Sequence, residues 1–334
     1  MPDMDALPGF VDLQVNGFVG VDFASSELKA EDLRRACREV RKRGTAAFLA
    51  TLVTSPVEVI QRNLSLIASV MREEEFHGRL LGIHLEGPFI SREPGAVGAH
   101  DSRWAIPPDI GMFDRFQEWA GGNIRMVTIA AEAPEADQLA RYAVSHGVCV
   151  SLGHHLAGPE DIERLVDAGA TALTHLGNGV PNMLHRHNNP IWAGLANDGL
   201  SCMMITDGHH LPTALIKCFL RVKGARRCVV VSDVAHPAGL PPGIYQFQGC
   251  TVVLEESGKL HNPQRNCLAG SASTMLACMN HLASLDLLKF EDLWKVGFAN
   301  PLKLIGLRGR DVDGEPLLRY DADERRFELL QSTR

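Results

Sequence analysis

Eight short, almost wholly apolar runs recur along the chain: GFVDLQV (9–15), TAAFLAT (45–51), LLGIHLEG (80–87), IRMVTIA (124–130), VCVSLGH (148–154), ALTHLGN (172–178), LSCMMITD (200–207) and CVVVSDV (228–234). Their length and lack of polar alternation predict parallel strands covered on both faces. Between most of them the apolar positions fall at helical spacing, as in 27–43 with its Leu33, Ala36, Cys37 and Val40 stripe, in 135–146 and in 159–168. Strand and helix alternating in this way predict a parallel α/β sheet. An open doubly wound sheet has the same rhythm. Closure into a (β/α)8 barrel of the TIM type is favoured because polar groups ending the third, fifth, sixth and eighth runs must converge, and the C-terminal mouth of a barrel allows it.

Those groups are Glu86, His154, His175 and Asp233. A divalent ion of borderline softness takes imidazole nitrogen and carboxylate oxygen, with one position left for water in a catalytic site. Glu86, His154 and His175 supply that set from three different runs. A single histidine at a strand end is more often a hydrogen-bonded structural residue; two of them taken together with a carboxylate, at three glycine-flanked strand termini, reverse that balance. Asp233 ends an apolar run just before the loop VAHPAGLPPG. It suits a general base that takes a proton from a water activated by the metal and passes it to a leaving amine; bracing of that loop is the competing role.

Other histidines divide by position. His100, in GAVGAH, and His210, in TDGHH, lie beyond the third and seventh runs, as candidates for ligand contact. His84 precedes Glu86 by two residues and so shares its strand face, where a supporting role beneath the metal is expected. His155, His185, His187 and His209 fit ligand, surface or supporting roles equally.

Composition bounds the function. A chain of 334 residues suits one barrel plus a tail. A net charge of −7 argues against a nucleic-acid partner. No apolar run approaches the ~20 residues of a membrane span, and MPDMDALPGF lacks the basic and apolar regions of a signal peptide, so a cytoplasmic protein is expected. The eight cysteines are scattered without a CxxC pair and read as reduced core residues. Two segments interrupt the strand-helix rhythm, 88–112 and 235–272. The second contains the hairpin IYQFQGCTVVLEESGKL, with Glu256, Ser257 and Gly258 as its turn.

With these residues the chain resembles the N-acetylglucosamine-6-phosphate deacetylase family of the amidohydrolase superfamily. The matching segments are PGFVDLQVNG (8–17), GIHLEGPF (82–89), GAH (98–100), GHHLAG (153–158), THLGNGVPN (174–182), ITDGHHLP (205–212), SDVAHPAGLPPG (232–243), LAGSASTM (268–275) and NPLKLIGL (300–307). The resemblance implies metal ligation by Glu86, His154 and His175, with Asp233 as catalytic aspartate and His100 polarising the acetamide carbonyl. It implies substrate contacts from His210, Asn178 and Gly179. Arg186 falls where some members present an arginine to the phosphate in a neighbouring subunit, which implies a homodimer. Gln14-Val15-Asn16 stands where many amidohydrolases carry His-x-His, which favours a single ion, zinc or iron, over two.

Three departures accompany the match. Family members usually carry a further segment ahead of PGF, which here begins at residue 8; the expectation is a barrel over 1–308 and a tail over 309–334, the remnant of a small β domain. Gly177-Asn178-Gly179-Val180 replaces the usual Phe-Asn-Ala-Met, and His155 stands where a small polar residue is common. The activity implied is metal-dependent hydrolysis of N-acetylglucosamine 6-phosphate to glucosamine 6-phosphate and acetate. The alternatives are an enzyme for the galactosamine epimer, an unphosphorylated sugar or a cyclic amide, and a non-catalytic sugar-phosphate sensor. An intact general base beside a metal set argues against the sensor.

Overall fold

All eight runs form strands in the computed structural model, which describes residues 4–247 and 249–330. They are β1 (Phe10–Val15), β2 (Thr45–Val53), β3 (Leu80–Glu86), β4 (Ile124–Ile129), β5 (Cys149–Leu152), β6 (Ala172–Leu173), β7 (Ser201–Ile205) and β8 (Cys228–Val231). Each pairs in parallel with the next. Helices cover the outside. In Ala30–Arg41 the expected stripe of Leu33, Ala36, Cys37 and Val40 is buried, with Glu31 and Asp32 in the first turn and Arg38 and Arg41 in the last, matching the helix dipole. The other two expected helices appear as Ala136–Ser145 and Pro159–Asp167.

The sheet closes between β8 and β1. Val15 and Val234 form a parallel bridge, and the buried Asp12 carboxylate accepts from the Ser232 N–H at 3.1 Å and from its hydroxyl. The barrel is therefore closed, as the convergence of polar strand ends requires. Leu13, Leu49, Met126, Met203 and Val231 fill its interior, and Phe298, Leu302 and Ile305 pack into the same cluster. Asn300 ties these last residues to the start of β8 through the Ala225 and Cys228 carbonyls, both at 2.7 Å, so they plug the end opposite the strand C-termini.

Asp12 makes the seam sensitive to pH. Burial, only partly offset by bonds from Ser232 and Gln14, raises its carboxyl to about 6. The folded protein then holds this proton more tightly than the unfolded chain does. That stabilisation is complete below the ordinary aspartate range and is lost as pH rises to about 6. Relative to a metal-free Asp12→Asn variant, the metal-free wild type should lose on the order of 3 kcal/mol of stability between about pH 3.5 and about pH 7 in urea unfolding. A difference that does not vary with pH would show that the seam buries no ionisable carboxyl.

The 235–272 segment is richer than one hairpin. Gly243–Phe247, Cys250–Leu254, Leu260–Asn262 and Cys267–Leu268 form a four-stranded antiparallel meander. The turn expected at Glu256–Gly258 joins its second and third strands, with Gly258 N–H on Glu255 O at 3.0 Å, while Gln248 of the first turn lies outside the described residues. The last two strands, of three and two residues, are too short to register as alternation. Phe247, Val252, Leu254 and Leu260 give this meander its own small core against Ala235 and Ala269.

Leu317–Asp321 and Arg326–Leu329 form a hairpin that pairs antiparallel with Leu7–Pro8, and Phe327 packs edge-on against Phe10 at 4.9 Å. Residues 331–334 of the expected tail lie outside the described residues. The cysteines are unpaired, but not all belong to the core: Cys218 is exposed, and Cys250 and Cys267 are half-buried. No helix among the described residues is long and apolar enough to cross a membrane.

Candidate active site

Glu86 is the last residue of β3, whereas His154, His175 and Asp233 each lie two residues past the end of β5, β6 and β8. These three adopt left-handed backbone conformations, with φ of +51°, +28° and +51°. For residues other than glycine this costs on the order of 1–3 kcal/mol, a strain that concentrates at functional sites. Here it accompanies the arrival of all three side chains in one cavity with Glu86.

Three ligand-type atoms meet there. His175 Nε2 stands 2.8 Å and His154 Nε2 3.3 Å from Glu86 Oε1, and the two nitrogens are 3.1 Å apart. The other nitrogen of His154 donates to Ala96 O at 2.8 Å, which leaves its Nε2 lone pair for the centre. Its ring fits between two glycines in the left-handed region. A Cβ on Gly98 would lie 3.1 Å from His154 Cε1, and one on Gly179 3.0 Å from His154 Nδ1. Burial alone would push Glu86 up and His175 down; the contacts of Glu86 with His154 and then His175 hold the carboxyl well below its usual range, and the same Glu86 contact holds His175 above its own. One carboxylate and two imidazoles facing each other at these distances suit a divalent cation.

The amides on β1 serve the two carboxylates. Gln14 Nε2 donates to Glu86 Oε1 at 2.8 Å, and Asn16 Nδ2 donates to Asp233 Oδ1 at 2.7 Å. Side chains that stand where many amidohydrolases place two histidines thus hold carboxylates in position. His84 is buried in the same layer, with Nδ1 on Leu13 O at 3.1 Å and Nε2 on Thr128 Oγ1 at 2.8 Å. Burial lowers it to about 4, so it stays neutral and braces β1 and β4.

Asp233 is 8 % exposed and opens to the cavity. Burial first, then the charge on Glu86, pushes its carboxyl up to about 8. A cation at the adjacent centre supplies the countercharge that favours the ionised form. His100 lines the same cavity. Its Nδ1 lies 3.0 Å from Thr54 Oγ1 and 3.4 Å from the Thr54 N–H; the amide can only donate, so with Nδ1 accepting from it the ring hydrogen sits on Nε2. Burial, then neighbouring His154, lowers His100 to about 3, so it is a neutral hydrogen-bond donor.

The cavity measures about 690 Å³ and also takes in Asn178, Gly179 and His210. Arg186 is exposed outside it, and its carbonyl accepts from Trp192 Nε1 at 3.1 Å. Of the unassigned histidines, His155 is buried and lowered by that burial to about 3. His185 Nδ1 accepts from the His187 and Asn188 N–H groups at 3.3 and 2.9 Å, while His209 Nε2 meets Ser257 O at 3.2 Å. All three contacts brace loops.

Three contributors were missed. Asp207 Oδ2 meets His210 Nδ1 at 2.7 Å, and its Oδ1 accepts from the His209 and His210 N–H groups at 2.9 Å. Burial would raise Asp207, but these bonds outweigh it and hold the carboxyl at about 2. The Asp-x-x-His spacing in TDGHH was the available signal. Arg92 and Arg265, from the two long insertions, also line the cavity, and nothing in their local sequence announces it.

A closed (β/α)8 barrel with a buried carboxylate–bis-imidazole cluster and an aspartate at the strand C-termini defines the class of barrel hydrolases that work with a metal ion. The chain is 33% identical to the N-acetylglucosamine-6-phosphate deacetylase of Bos taurus over 91% of its length and 75% of that protein, and 30% identical to that of Bacillus subtilis over 96% and 80%. It belongs to the N-acetylglucosamine-6-phosphate deacetylase family. The Mycobacterium smegmatis deacetylase, solved in complex with N-acetyl-D-glucosamine-6-phosphate, superposes with a TM-score of 0.86 at 27% identity, covering 98% of this chain and 85% of that one. An N-acetylgalactosamine-6-phosphate deacetylase from Shewanella is 30% identical over 83% of this chain and 68% of its own. No family model matches the chain.

Proposed function

We propose that the protein hydrolyses the acetamide of N-acetylglucosamine 6-phosphate, releasing acetate and glucosamine 6-phosphate. The observation that carries this reading is the buried Glu86, His154 and His175 cluster opening with Asp233 into one cavity, in a chain of this family. Glu86, His154 and His175 would hold one divalent ion, zinc or iron, which when bound acidifies a water and polarises the acetamide carbonyl.

The chain's own groups carry the protons. Asn16 occupies Oδ1 of Asp233, so Oδ2 is the atom that accepts a proton from the attacking water. The same carboxyl then delivers that proton to the sugar nitrogen as the C–N bond breaks. His100 Nε2–H donates to the carbonyl oxygen as negative charge develops there. His210, oriented through Nδ1 by Asp207, offers its other nitrogen to the sugar, and Asn178 and Gly179 contact the sugar phosphate. A homodimer with Arg186 reaching the neighbouring site and a catalytic unit over 1–308 with an accessory tail over 309–334 complete the reading and rest on the family resemblance; the cytoplasmic location expected from the sequence is kept with it.

The test is acetate release from N-acetylglucosamine 6-phosphate before and after chelation and zinc restoration. Turnover that disappears and returns with the ion is expected. None from metal-loaded protein would overturn the substrate. A second reading, the galactosamine epimer, is supported by the Shewanella relative; the epimeric phosphate in the same assay decides between them by relative kcat/KM.

A further inference from the structure

Among the described residues that line the active-site cavity, only Arg92 and Arg265 carry a permanent positive charge. The lining carboxylates, Glu86 and Asp233, are buried and committed to Gln14 and Asn16. Arg265 lies between the third and fourth strands of the meander, in a loop fixed by Asn262 Oδ1, which accepts from the Gln264 and Arg265 N–H groups at 3.0 Å. Its Nη1 donates to three successive carbonyls, Gly98, Ala99 and His100, at 3.2, 3.1 and 2.8 Å. Nε and Nη2 have no protein partner among the described residues, and no carboxylate pairs with the group. Surface arginines elsewhere, such as Arg34, Arg38 and Arg164, do take carboxylates. Arg92 spends both Nε and Nη2 on Ala105 O, which leaves Arg265 with the more open donor edge.

We propose that Arg265 is the anion anchor of this cavity and receives the phosphate monoester of the substrate from within the same subunit. The proposal rests on the sugar-phosphate reading above. A guanidinium held along one edge and free along the other is pre-organised for two phosphate oxygens, and the rotamer freedom it would lose on binding is already restricted. It also links the substrate's charge to the loop that carries His100. Arg186, exposed outside its own cavity, is then an addition from a neighbouring copy and not the sole cationic contact.

Because Arg265 braces the His100 loop, loss of activity alone would not isolate the anion contact. The informative quantity is the ratio of kcat/KM for N-acetylglucosamine 6-phosphate to that for unphosphorylated N-acetylglucosamine, in which any general defect cancels. In metal-loaded Arg265→Gln this ratio should fall about tenfold or more, the loss of a charge-assisted contact, and competitive inhibition by inorganic phosphate should weaken in proportion. Arg265→Lys keeps the charge but not the fork and should show a smaller fall; it carries the test if Arg265→Gln does not fold. An unchanged ratio overturns the proposal, whether or not both activities drop. So does a ratio that falls in Arg186→Gln but not in Arg265→Gln. A wild-type enzyme indifferent to the phosphate would instead refute the sugar-phosphate reading on which the proposal stands.

Discussion

Asp233→Asn protein should keep its metal and bind its substrate, yet turn over about 10²–10⁴-fold more slowly, the range lost with a positioned general base. The substitution is isosteric, and asparagine tolerates the left-handed φ of +51° at this position. Its side-chain oxygen can still accept from Asn16, so the geometry around the ion should survive. What disappears is a group able to hold a proton between water and sugar nitrogen. The wild-type rate should fall on the acid side as Asp233 takes up a proton, and the residual rate of the variant should lose that limb. A variant within a fewfold of wild type across pH would remove Asp233 from proton transfer and leave it a loop brace.

The barrel was legible because strands buried on both faces must be nearly continuous in apolar residues, so GFVDLQV and CVVVSDV read as strands without any alternation to guide them. Even β6, with only Ala172 and Leu173 in its ladder, showed itself in ALTHLGN. Glu86, His154 and His175 were legible by residue type and place, since few groups can ligate a metal and all three ended such runs. Contacts set by backbone carbonyls and by long-range closure left no comparable trace. Nothing marks Ala96 as the acceptor that orients His154, Asp12 as the clasp on Ser232, or Arg265 as a neighbour of His100 from a loop 165 residues later. The left-handed φ values at His154, His175 and Asp233 are equally silent, because the strain is held by surroundings and not by a local glycine or turn motif.

Glu86→Gln should fail in the opposite way to Asp233→Asn. The glutamine keeps the length of the side chain, but it removes the only charged ligand and replaces a carboxylate with an amide, a poor donor to zinc beside imidazole. Residues outside the ligand set that merely orient it are worth about 10–100-fold in metal affinity, so loss of a ligand should exceed about 100-fold when measured by competition with a chromophoric chelator. Activity should then be nearly absent at trace metal and recover partly as metal is added, whereas Asp233→Asn should gain nothing from added metal. The two variants separate holding the ion from moving the proton. Glu86→Gln protein that binds zinc with wild-type affinity would show that the cluster of Glu86, His154 and His175 is a hydrogen-bonded core element and that the ion sits elsewhere.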